Sequence, residues 1–118
     1  MAKPDKCISV EEARELQSNW TNSRGASISR SIGSEDTCEF VYSVEELQEF
    51  LDYVKEGSEK EGIANPGVRI YFGAYSGNYS NRATIFLAPT KGEDSDSENN
   101  YNLDPMNRNT GGWPPQEY

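Results

Sequence analysis

"VRIYFGAYSGNYSNRATIFLAP", residues 68–89, decides the fold. Val68, Ile70, Phe72 and Ala74 alternate with Arg69, Tyr71, Gly73 and Tyr75. Beyond a polar turn, Ala83, Ile85 and Leu87 alternate with Thr84, Phe86 and Ala88. Successive side chains of a strand point to opposite faces, so the pattern predicts two paired strands, apolar on one face and aromatic on the other. Val68, Ile70, Phe72, Ala83, Ile85 and Leu87 are expected to lie under helices. Pro89 has no N–H to donate and is expected to end the second strand.

Those helices are signalled upstream. "SVEE" occurs at 9–12 and again at 43–46. In each, Ser caps a helix while Glu three residues on reaches back to the cap amide. Ile8 with Ala13, and Tyr42 with Leu47, are placed for hydrophobic staples. The first helix is predicted from residue 10 to 22 or 23, with Val10, Ala13, Leu16 and Trp20 on one side and Gly25 as its stop. "ASISRSIGSED" then reads as a polar connector anchored by Ile28 and Ile32. "TCEFVY" (37–42) reads as a short strand. The second helix is predicted over 44–57, with Leu47, Phe50, Leu51 and Val54 facing the core, and a loop follows to the Asn65-Pro66-Gly67 turn. The expectation is an α+β fold of order α-β-α-β-β, two helices on a three- or four-stranded antiparallel sheet.

By size the chain of 118 residues makes one domain, expected over 1–90. Residues 91–118 change in character: "KGEDSDSENN" is acidic and apolar-free, and the rest is rich in Asn, Gly and Pro. Such a segment cannot build its own core. It is expected to pack back as an irregular tail, with Tyr101, Leu103, Met106 and Trp113 as anchors.

The formal net charge of −9 argues against nucleic acid as a partner, since phosphate binding needs clustered Lys and Arg. No apolar run is long enough for a membrane span, and the start carries no signal-like segment. Together these imply a cytoplasmic protein with Cys7 and Cys38 as free thiols, for which the "NWT" and "NYS" sequons at Asn19 and Asn78 have no meaning. The chain has no histidine. That removes the commonest general base and the Ser-His and Cys-His nucleophile pairs, and two cysteines alone cannot make an ordinary zinc site. Neither phosphate-cradling glycine motif occurs. No catalytic residue, metal or cofactor is assigned.

Two surfaces remain as candidates. Glu45, Glu49, Asp52 and Glu56 fall on one side of the second helix, where Lys55 is the only base among five acids. An amphipathic helix needs a solvated face; the functional alternative is a docking surface for a basic protein, as in an inhibitor or immunity-type partner. On the aromatic face, Arg69, Tyr71, Tyr75 and Phe86 form either a groove for a peptide or small ligand, or a surface covered by the tail. In the covered case Trp113 or Tyr101 lies against Tyr71, and Gly73 leaves room for the approach. Asp94, Asp96 and Glu98 have the opening rhythm of a calcium loop. Asn99 and Pro105 stand where that loop needs glycine and glutamate, so an acidic loop is expected there instead.

"ISVEEARELQSNW", "GVRIYFGAYSG", "TIFLAPT" and the ending "GGWPPQEY" together resemble a family of small uncharacterised bacterial proteins. These share an N-terminal helix ending in an aromatic residue and a "GIRIYFG"-type strand. The likeness spans most of the chain and is most specific over 67–89. It implies a bacterial, cytoplasmic protein and carries no activity or site residue with it.

Overall fold

The computed structural model describes residues 2–77 and 81–112. The fold is α+β, and its elements follow the expected order with additions: α1 (Val10–Trp20), a π-helical turn (Thr21–Gly25), α2 (Ala26–Ile32), β1 (Phe40–Val41), α3 (Val44–Lys60), β2 (Gly67–Ala74), β3 (Ala83–Thr90) and β4 (Thr110–Gly111). The chain divides into two compact units at 39/40 and 111/112. One unit comprises Phe40–Gly111; the other comprises Met1–Glu39 and Gly112–Tyr118. The Asn78 sequon and Trp113 lie outside the described residues.

In the first unit, the Ser9 side chain accepts the Glu12 amide N–H at 3.0 Å. The reciprocal half of the box differs from expectation, because the Glu12 carboxylate accepts from Ser9 Oγ rather than from the Ser9 amide N–H. Ile8 is half exposed. Gly25 does not stop the helix. The Thr21 and Ser23 hydroxyls donate to the Gln17 and Asn19 carbonyls, a back-bonding that distorts helices, and the helix continues through the π turn into α2. A Cβ on Gly25 would crowd the Trp20 carbonyl (3.2 Å) and indole Nε1 (3.3 Å), so this glycine admits the Trp20 ring. The stop is Gly33, at φ +81°, a left-handed conformation that side chains disfavour. Ala26–Ile32 of the segment expected to be a connector are therefore helical, and residues 33–36 remain irregular.

In the second unit α3 begins with the complete capping box: Ser43 Oγ accepts from the Glu46 amide, and Glu46 Oε1 accepts from the Ser43 amide. The helix outruns its expected end at Gly57 and closes at Glu61, followed by Gly62 at φ +74°. Gly57 is helical for a packing reason, since a methyl group there would run into Leu103, whose Cδ1 lies 3.0 Å from that position. Gly57→Ala should therefore destabilise the unit even though alanine is the better helix former by about 1 kcal/mol. In a Leu103→Ala background the same change should stabilise it. A urea-denaturation cycle of the four proteins checks the reversal of sign, and the same sign in both backgrounds rules out the contact.

β2 and β3 pair antiparallel along eight residues, from Gly67↔Thr90 to Ala74↔Ala83. Pro89 does not end β3. Its Cα partner is Val68, but its carbonyl accepts from Asn100 N–H on the other side, so the missing donor costs β2 nothing. The chain returns along that other side through two isolated bridges, Thr90↔Asn99 and Leu87↔Met106. β1 and β4 form a separate two-stranded clasp. Among the described residues the expected three- or four-stranded sheet is thus two ribbons, one of them extended by bridges.

The core holds Phe50, Val54 and Leu87, with Tyr42, Leu47, Val68, Ile85 and Met106 packed against it. Ile70 and Phe72, expected in the same layer, are 64% and 85% exposed. Leu103 seats at Gly57 of α3, and Tyr53 Oη accepts from the Asp104 amide at 2.8 Å. Both contacts fasten α3 on the side of β3 that meets Met106, so that Val68 is covered while Ile70 and Phe72 stand in solvent.

Candidate functional site

Glu45, Glu49, Asp52 and Glu56 all stand exposed on α3, opposite Phe50, Val54 and Ser58. Asp52 accepts a bond from Gln48 Nε2 at 3.0 Å. Helical spacing sets these carboxylates along one solvated side, and Lys55 and Lys60 are the only bases in the helix. The structure thus gathers the four residues into the expected stripe.

The aromatic face is built differently from expectation. Tyr71 and Phe86, Cα partners across the ribbon, stack with ring centroids 5.0 Å apart. Arg69 turns to residues 95–99, its guanidinium donating to Asn99 Oδ1 (2.6 Å) and to the Ser95 and Ser97 carbonyls. Asn99 Nδ2 in turn donates to Tyr71 Oη at 2.8 Å. That bond, with help from the Arg69 charge, holds the Tyr71 phenol below its ordinary pKa. Tyr75 Oη donates to Asn107 Oδ1 (3.1 Å), whose amide donates to the Ile85 carbonyl. The returning chain therefore ties down Arg69, Tyr71 and Tyr75 by polar contacts, and among the described residues no tail aromatic seals the face. Tyr101 is 89% exposed. Gly73 makes no room for the tail either; its nearest neighbours are its cross-strand contacts Thr84 and Phe86, at ordinary distance. What remains between the ribbon and residues 99–105 is a cleft of about 230 Å³, lined by Tyr71, Phe86, Pro89, Tyr101, Leu103 and Pro105 among others.

The 91–98 segment is a closed turn. Lys91 N–H donates to the Glu98 carbonyl, and Asp94 exchanges bonds with Ser97. Among the described residues no cluster of His, Cys, Asp or Glu is arranged to hold a metal ion, Asp94, Asp96 and Glu98 included. Sequence reading missed a different carboxylate, Glu61. It receives Asn100 Nδ2 on one oxygen and Asn102 Nδ2 on the other, at 2.8 and 2.7 Å, which holds it below the usual carboxylate range. An acid placed immediately before the Gly62 stop was the available signal.

Cys7 and Cys38 are free thiols. Cys38 lines a 440 Å³ cavity with Trp20, Ala26, Ile28, Glu35 and Asp36. Burial, and then the charges of Glu39, Asp36 and Glu35, push its thiol above the ordinary value. An activated nucleophile needs the opposite shift. No helix among the described residues is long and apolar enough to cross a membrane. Comparison with protein-family models, curated proteins and solved structures returns no match.

Proposed function

We propose that the protein is a non-catalytic, cytoplasmic binding module that docks on a basic protein, as an inhibitor or immunity-type partner would. The observation that carries this is the exposed row of Glu45, Glu49, Asp52 and Glu56 on a chain of net charge −9. Uncompensated charge of one sign steers a partner of the other and sets the rate of encounter. The resemblance over 67–89 to small bacterial proteins adds no role. Converting the four acids to lysine leaves the core untouched. It should abolish capture of a salt-sensitive basic partner, lowering affinity by about a hundredfold or more at low salt. No salt-sensitive partner, or one indifferent to the four substitutions, overturns the reading.

A second reading rests on the cleft beside Tyr71 and Phe86, which has the apolar walls and few polar groups of a small-ligand site. A thermal-shift screen separates the two. A cleft ligand should lose its effect in Tyr71→Ala and keep it in the lysine variant.

A further inference from the structure

Leu87 exchanges both its backbone bonds with Met106, donating at 2.8 Å and accepting at 2.9 Å. Its Cα partner on β2 is Ile70, so neither backbone group of Ile70 is engaged by β3. At the end of the ribbon Tyr75 N–H donates to the Arg82 carbonyl, in the same register. Bonded and non-bonded pairs alternate along an antiparallel ladder. Odd-numbered residues of β2 therefore bond to β3, while Val68, Ile70, Phe72 and Ala74 turn their N–H and C=O groups outward. Among the described residues no strand pairs with that outer edge.

Natural edges are usually blunted by lysine, proline or a bulge. β2 has none of these, and its single charge, Arg69, is turned away and tied to residues 95–99. The side chains beside the open groups are the exposed Ile70 and Phe72. An edge with free backbone groups and apolar side chains at alternate positions is the surface that strand addition uses. The chain's net charge of −9 disfavours a second copy of itself on this edge and favours a basic occupant.

We propose that the outer edge of β2 takes up an extended segment of a basic partner protein as an added strand, whose apolar side chains seat on Ile70 and Phe72. This rests on the basic-protein reading above and gives it a mode of binding. The probe is a synthetic peptide of alternating lysine and valine, added to the full chain. Amide exchange is followed by NMR. The peptide should slow exchange at residues 68, 70, 72 and 74 by about tenfold or more. N-methylating alternate peptide amides on the pairing edge should weaken binding about tenfold or more, and a glutamate-valine peptide should not bind. Phe72→Pro should remove the edge donor yet keep the β2–β3 amides protected, and should no longer bind; Phe72→Lys, which leaves the backbone alone, should bind more weakly.

Binding that ignores N-methylation but still needs the four acids of α3 overturns the strand addition and leaves the acidic docking reading standing. Failure of every basic probe to bind overturns both. Protection of the four amides without peptide, together with a dimer in sedimentation, overturns the proposal by giving the edge to a second copy.

Discussion

Phe50→Ala is expected to lower the stability of the Phe40–Gly111 unit by about 3–4 kcal/mol, whereas Phe72→Ala should change it by no more than about 0.5 kcal/mol. The residue type and the truncation are the same, so the difference isolates position. Phe50 is 7% exposed in the cluster with Val54 and Leu87; Phe72 is 85% exposed. Removing the Phe50 ring forfeits its transfer free energy and leaves a cavity between α3 and β3 that the surroundings refill only in part. Domains of this size have a margin of about 5–15 kcal/mol, so the loss is a large share of it. Urea denaturation followed by circular dichroism gives both values. Equal costs for the two substitutions would mean that Phe72 is covered, and would remove the exposed apolar side chain on which the added strand is to seat.

Asn100→Ala should cost about 2–3 kcal/mol at neutral pH, from hydrogen bonding alone. Asn100 is 2% exposed. Its amide donates to Glu61, its Oδ1 accepts from the Asn102 N–H, and its own N–H donates to the Pro89 carbonyl. Only the two side-chain bonds are lost. The penalty should also depend on pH. The Asn100 amide is the first cause of the lowered Glu61 pKa, so the stabilisation it lends is present above the ordinary carboxylate range and disappears as pH falls through the folded value. The gap between wild type and variant should therefore narrow as pH falls below the ordinary carboxylate range. A gap that stays unchanged on acidification would detach Glu61 from the stability of the 100–102 turn.

The periodicity of 68–89 identified both strands and both faces, and Ser43 with Glu46 marked the start of α3 to the residue. Alternation, however, reports only which side of a sheet a residue is on. It cannot say which strand a helix straddles, and that depended on Leu103 and Asp104, far along the chain. The glycines misled for a related reason. Gly25 and Gly57 stand inside helices because Trp20 and Leu103 occupy the space a Cβ would fill, while the stops at Gly33 and Gly62 were read as connector. Composition cannot separate a glycine that turns the chain from one that admits a neighbour. The acidic stripe was legible because it depends on helical spacing alone. The 99–107 contacts to Arg69, Tyr71 and Tyr75 were not, because side-chain amides of asparagine carry no periodic signal.

The clasp of β1 and β4 has a consequence for how the chain is threaded. Phe40 and Gly111 are Cα partners, so the polypeptide leaves the terminal unit and comes back to it at neighbouring points. Seen from there, everything between them counts as a tightly closed excursion, and the entropy of joining its ends is met by β1 and β4. Lengthening or shortening the stretch internally, at the 91–98 turn for example, should leave the pairing of Phe40 with Gly111 and of Val41 with Thr110 unchanged.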